Sequence, residues 1–255
     1  MGSSNARALD GLDEGLRVRH IANFPLITCK ADDDAEELFG RPDYKDFDQM
    51  PIAEGNRIVG IVERSKPKVR RALDDSVLVA ADNPLSNFIH TVHQQPYRLV
   101  VDGTAITGIV TWSDLLKLPV TVLAFSLVAE LELAMNCRIK ERYGDQSGWL
   151  ELLNKEERDK ILGRLRRLQQ ENLALSLLEL ADFPHKATVL RQLFSATRDF
   201  VMELESLKSL RNEVAHVKEI ARGDADLKIF VERIETAEAW LKILQSNQAL
   251  PAVAG

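Results

Sequence analysis

Cysteine is nearly absent: Cys29 and Cys137 are the only two in 255 residues. Two thiols make neither a disulfide framework nor a zinc-site pattern. Each reads as a small buried hydrophobe in a reducing compartment. Excess basic charge is lacking as well. The net charge is −6, with 14 Lys+Arg against 18 Asp+Glu up to Leu118 and 19 against 21 beyond it. Neither half is a basic nucleic-acid platform, so any such contact has to use a local patch. Long apolar runs are missing too. The most apolar stretch, Leu118 to Ala129, covers about a dozen residues before Glu130 and Glu132, short of the roughly 20 that a membrane helix needs. It reads as a buried helix, with no membrane partner. Residues 1–15 have no apolar signal core and read as disordered, and residues 248–255 read as a flexible tail. The expectation is a cytoplasmic protein.

What is present is a normal globular composition, 45% hydrophobic and 28% charged, in a chain long enough for two domains. The first half contains a repeat. Pro51-Ile52-Ala53-Glu54-Gly55-Asn56-Arg57-Ile58-Val59-Gly60-Ile61-Val62 aligns with Leu99-Val100-Val101-Asp102-Gly103-Thr104-Ala105-Ile106-Thr107-Gly108-Ile109-Val110. Glu54-Gly55 and Asp102-Gly103 are hairpin signals between apolar runs. Gly60 and Gly108 mark equivalent points of the second strand, where a bulge or a close backbone approach is expected. Upstream, Asp33 and Asp82 stand ahead of short helical stretches, as N-capping residues do. Each half therefore reads as strand, helix, hairpin and a further helix, with Ser113 to Leu118 closing the second copy.

This arrangement, from about Leu16 to Leu118, resembles a tandem pair of CBS domains, a module that usually binds adenine nucleotides in a cleft between two copies. The run Gly108-Ile109-Val110-Thr111-Trp112-Ser113-Asp114 matches the family's phosphate-and-ribose element. The resemblance implies that the Thr111 hydroxyl meets a phosphate at a helix N-terminus. It further implies that Asp114 accepts from ribose hydroxyls, and that Tyr97 and Val79 flank a base. The first copy has Glu63 in place of the hydroxyl and Lys66 in place of the ribose acceptor, so at most one working site per chain is expected. The plainer alternative is that Thr111 and Asp114 cap a helix.

From Pro119 the strand signals stop. Leu123, Leu127, Leu131, Met135 and Ile139 recur at spacing four in a helix to about Tyr143. Asn154 with Glu157 is a capping-box start. The helical pattern continues over Leu173 to Ala181, again from His185 to Phe194, through Phe200, Leu204 and Leu207, and from Leu227 to Leu244. The fold class is α+β: a repeat module over 16–118, then an all-α bundle of about five helices over 119–247.

One helix leads into Leu210-Arg211-Asn212-Glu213-Val214-Ala215-His216. Arg supplies charge-assisted hydrogen bonds to phosphate oxygens, and His exchanges protons near neutral pH. An Arg and a His near a helix end also commonly pair with its last carbonyls. Arg-Asn-x-x-x-His in a helical bundle resembles the HEPN family. That resemblance implies a metal-independent ribonuclease that needs no cofactor, with two protomers contributing to one cleft. His216 would activate the RNA 2′-hydroxyl or protonate the leaving 5′-oxygen, Arg211 would stabilise the phosphorane, and Asn212 would orient the His or bind the phosphate. On an ideal helix, five positions turn Arg211 and His216 about 140° apart. A homodimer with facing motifs is therefore the expected state. Lys160, Arg164, Arg166 and Arg167 form the densest basic cluster, which either guides RNA or is a solvated face. His90 and His93 lack a third ligand in view, so no metal is expected. The leading reading is an RNA endonuclease regulated by an adenine nucleotide. The alternative is a non-catalytic nucleotide-sensing dimerisation or partner-binding module.

Overall fold

An acidic residue and a glycine between two apolar runs close a hairpin in each half of the repeat. In the computed structural model, which describes residues 11–12, 14–144, 147–171, 175–194, 198–215 and 224–246, Gly55 has φ +59° and Gly103 φ +60°. Only glycine adopts that turn conformation at no steric cost. The chain divides into two units, one of Asp10–Thr121 and one built on Val122–Gly255.

In the first unit, β1 (Cys29–Lys30) runs parallel to β2 (Gln49–Glu54), which pairs antiparallel with β3 (Arg57–Glu63). The second copy repeats this: β5 (Leu78–Ala80) is parallel to β6 (Tyr97–Asp102), and β6 is antiparallel to β7 (Ala105–Thr111). A short helix joins the parallel strands each time, α1 (Ala35–Gly40) and α2 (Leu85–Thr91). Even the irregularity repeats: Ile52 pairs with Gly60 and Val100 with Gly108, and each ladder shifts register at the next residue. A Cβ on Gly60 would lie 2.9 Å from the Arg71 carbonyl, and one on Gly108 would lie 2.6 Å from the Phe24 ring. A further segment lies on that edge in each copy, which is why both positions are glycine.

The structure departs from the sequence reading in three places here. The helix expected to close the first copy is absent. The chain turns at Arg64-Ser65 into β4 (Lys66–Ala72), which pairs antiparallel with β3. Pro67 suits such an edge, where its missing N–H is not needed, and alternation of Lys and Arg with Pro and Val is an edge-strand pattern rather than a helical one. Second, the N-cap of α1 is Asp34, whose carboxylate accepts from the Glu36 and Glu37 amides, while Asp33 accepts from the Lys30 amide. Third, α2 is capped by Pro84 with no side-chain bond, and Asp82 pairs instead with Arg19 at 2.6 Å. Leu38, Phe39, Met50, Ile52 and Val62 make one core within the first copy, and Ile61 of the first copy joins Val77, Tyr97 and Leu99 of the second in another.

The second unit is helical among its described residues. Helix α3 (Leu118–Tyr143) buries Leu123, Leu127, Leu131, Met135 and Ile139, the spacing-four stripe. Burial of each such side chain is worth about 1.5–3 kcal/mol. At 26 residues it is longer than the apolar run alone suggests, and it is the one described helix long and apolar enough to cross a membrane. Just over half, 56%, of its most apolar window is buried within the protein. Helix α4 (Lys155–Gln170) starts at Asn154, which exchanges two bonds with Glu157 as the sequence indicates. Helices α5 (Phe183–Leu193), α6 (Arg198–Ala215) and α7 (Asp224–Gln245) follow. Residues 175–181 form turns rather than the expected helix. Asp182-Phe183-Pro184 starts α5, with Pro in its first turn where its missing N–H costs nothing. His216, most of residues 1–15 and all of 248–255 lie outside the described residues, and residues 11, 12, 14 and 15 are helical.

Candidate functional site

Strand β7 delivers Thr111 to the start of a 3-10 turn, Trp112–Leu116. The Thr111 amide donates to Asp114 Oδ2 at 2.6 Å and its hydroxyl to the same oxygen at 3.0 Å. The turn brings the two residues together because an acidic residue three positions on can reach back to the cap amide. Asp114 is only 3% exposed. A buried carboxylate needs compensating donors, and further ones come from Asn23, far along the chain, and from Lys117, three positions on. Asn23 Nδ2 donates to Oδ1 at 3.0 Å and to Oδ2 at 3.1 Å. Lys117 Nζ stands 2.8 Å from Oδ1. The same ammonium donates to the Ile21 carbonyl and to Asn23 Oδ1. Lys117 is a local partner, three positions after Asp114, that the sequence reading passed over. Nothing in the local sequence pointed to Asn23, whose signal is three-dimensional, since it lies 91 residues from Asp114.

Tyr97 is paired across the ladder with Thr111. It is 1% exposed, and its hydroxyl donates to Glu63 Oε1 at 2.6 Å. Burial first, then the Glu63 bond and charge, push the phenol up to about 12, so it remains neutral at physiological pH. Val79, also buried, pairs with Val100, while Leu78 pairs with Leu99. Side chains alternate faces along a strand, so Tyr97 and Val79 project to opposite faces of the sheet. The pair named from the resemblance does not face one base from one side; Leu78 shares the face of Tyr97.

In the first copy the corresponding place is taken up by structure. Glu63, equivalent in position to Thr111, is the acceptor for Tyr97 of the second copy. Arg64 donates to the carbonyls of Phe39, Tyr44, Lys45 and Phe47 and lies 4.9 Å over the Phe39 ring. A cleft of about 580 Å³ opens elsewhere in this copy, between residues 28–33 and 53–55. Burial, and then the charge of Asp33, raise the thiol pKa of Cys29 beside it.

In the helical unit, Arg211 and Asn212 are exposed on the last turn of α6, with Arg211 Nη1 3.4 Å from Asn212 Oδ1. The Arg164 guanidinium, 2.9 Å from Asp182, holds that carboxyl below its ordinary range, helped by the charges of His185 and Arg211 and opposed by burial. Arg164 also donates to the Leu180 carbonyl. Lys160 pairs with Glu156 at 2.7 Å. Of the basic residues proposed for RNA, Lys160 and Arg164 are thus engaged within the unit, and Arg167 is exposed.

The β5-β6-β7 order, Gly108 itself and the Thr111–Asp114 turn all fall within residues 69–121, which match the family model of the CBS domain. This stretch is a CBS domain. No curated protein matches the chain. Among solved structures, the CBS domain pair of protein MJ0100, crystallised with 5′-methylthioadenosine and S-adenosyl-L-methionine, aligns at 18% identity over 39% of this chain and 96% of that one, with a TM-score of 0.35. The CBS domain of a membrane protein from Sphaerobacter thermophilus aligns at 19% identity over 44% of this chain and 93% of that one, TM-score 0.36. Protein MJ1004 from Mathanocaldococcus jannaschii aligns at 16% identity over 88% of this chain and 100% of that one, TM-score 0.37.

Proposed function

We propose that the CBS domain and its preceding copy form a regulatory module for an adenine nucleotide, and that the helical unit is the effector it governs. The observation that carries the first part is the Thr111 hydroxyl and the Asp114 carboxylate held together at the end of β7, inside the family match. Those are the groups that the family resemblance assigns to phosphate and ribose. Adenosine 5′-monophosphate is then expected to raise the melting temperature by linkage, and Asp114→Asn to abolish the rise. A melting curve that no adenine nucleotide moves ends this reading.

For the effector we propose a cytoplasmic, metal-independent RNA endonuclease acting as a homodimer. Its support is the adjacent, exposed Arg211 and Asn212 at the end of α6, in a unit that is helical among its described residues. Arg211 would neutralise the phosphorane, which needs positive charge where its own negative charge develops. Asn212 would bind the phosphate or orient the imidazole, and His216 would move the proton between the 2′-hydroxyl and the 5′-oxygen. The products would be a 2′,3′-cyclic phosphate and a free 5′-hydroxyl, and DNA would be spared for want of the nucleophile. The test is RNA incubated with protein in excess chelator. Cleavage that His216→Ala removes supports the assignment, and intact RNA rejects it.

One observation favours a second reading, a non-catalytic partner-binding unit. Lys160 and Arg164 are neutralised by Glu156 and Asp182, and the chain carries −6 overall, so little of the basic cluster is left to attract a polyanion.

A further inference from the structure

The groups that would bind the ribose are already bound. The segment Ile21–Phe24 meets β7 at a single antiparallel bridge: the Asn23 amide donates to the Ile109 carbonyl at 2.8 Å and the Ile109 amide to the Asn23 carbonyl at 3.2 Å. Its Asn23 carboxamide reaches both oxygens of Asp114. Lys117 ties the same segment down through the Ile21 carbonyl and Asn23 Oδ1. Counting Thr111, the buried Asp114 carboxylate accepts from an amide, a hydroxyl, a carboxamide and an ammonium. A carboxylate offers about four lone-pair sites, so no acceptor remains for a diol.

We propose that Ile21–Phe24 is a built-in strap that occupies the ribose subsite, and that nucleotide binding and strap docking exclude each other. This rests on the reading of Thr111 and Asp114 as the nucleotide site. The strap is an intramolecular competitor. Its two N–H donors from one carboxamide stand in for the two hydroxyls of a ribose, and a ligand enters by replacing them. The strap also links the site to what precedes it, because Val18 and Arg19 are held by the Asn83 and Ala81 carbonyls. Displacement would therefore begin at Ile21 and leave the upstream anchor in place. Phe24 is half exposed and rests against Gly108, where a Cβ would fall 2.6 Å from its ring and 2.8 Å from the Asn23 carbonyl. The edge of β7 has room for the strap only while residue 108 is glycine.

Two variants release the strap from opposite sides. Asn23→Ala removes its bonds to Asp114. Gly108→Ala pushes its backbone off β7 and touches no group of the proposed site. A site whose competent form is populated about a tenth of the time binds about tenfold more weakly than the open form. Both variants should accordingly bind adenosine 5′-monophosphate about tenfold more tightly than the parent in calorimetry. In the parent, saturating nucleotide should speed hydrogen exchange at the Asn23 and Ile109 amides at least tenfold. If the nucleotide saturates the parent while both amides keep their protection, and neither variant gains affinity, the strap is overturned and the nucleotide site stands. If it binds none of the three proteins, the site itself is overturned and the strap with it.

Discussion

Arg64 shows how much one side chain can organise. It stands where the second copy has Trp112, one position after the residue that would meet a phosphate, and it donates to the Phe39 carbonyl of α1 and to three carbonyls of the α1–β2 connection. Bonds from a charged donor are worth about 1.5–3 kcal/mol, and Arg64→Ala removes the guanidinium from all four carbonyls at once, leaving the Tyr44 carbonyl to the Phe47 amide. Urea unfolding should show a loss of about 2 kcal/mol or more. Arg64→Lys should recover little, because an ammonium cannot reproduce the planar fork. At Asp182 the prediction concerns pH. The Arg164 bond and nearby charges depress the carboxyl pKa in the folded state, whereas in the unfolded chain it titrates near 3.9. A depressed carboxyl contributes stability above the unfolded value and loses it as pH falls through the folded value. The parent should therefore exceed Asp182→Asn in stability at pH 6, and the gap should close below about pH 4. A gap that is constant from pH 6 to pH 2.5 would show that the Arg164–Asp182 pair contributes nothing through charge.

The elements that local chemistry specifies were readable in the sequence. Asn154 and Glu157 bracket the first turn of α4 and exchange two bonds there. Asn154→Ala should cost about 1 kcal/mol, measured by the shift in denaturant midpoint at unchanged slope. The hairpins were equally legible, since Glu54-Gly55 and Asp102-Gly103 carry their turn in two residues. The repeat read from these short runs reappears as matching registers and matching register shifts. Reading failed where the deciding partner is remote. The first copy's closing helix became β4 because β3 offered an unpaired edge, and an edge is a property of the sheet. Asp33 and Asp34 are indistinguishable as cap residues by type, and only the backbone path chooses between them. The face relation of Tyr97 and Val79 depended on register, which one residue inverts. At the proposed nucleotide site, Thr111 and Asp114 were visible as a local pair and Lys117 lies within the same turn, while Asn23 was out of reach of any local reading. The strap that Asn23 belongs to is joined to Asp114 only by the fold.

At the scale of the whole molecule, the proposed chemistry belongs to two chains. Arg211 and His216 are five positions apart, and one straight helix turns them about 140° from each other. In the proposed homodimer a two-fold axis would bring both groups from both chains to one cleft. Light scattering at micromolar concentration should then report a dimer, and a monodisperse monomer would count against the shared site. His216→Ala and Arg211→Ala should each lower RNA cleavage by about 10²–10⁴-fold, the usual loss for a general acid–base group, with the dimer intact. A packing defect would cost only a few-fold, so the size of the loss separates the two causes. Mixing the two inactive proteins and letting their chains exchange probes the sharing directly. A heterodimer carries one unaltered Arg211 and one unaltered His216 on opposite chains. Activity restored on mixing means that one Arg and one His across the axis suffice. A mixture that stays inactive means that all four groups act together, or that each chain works with its own pair. The single variants decide the assignment itself: a folded, dimeric His216→Ala protein that cleaves RNA at the parental rate removes the chemistry from this motif.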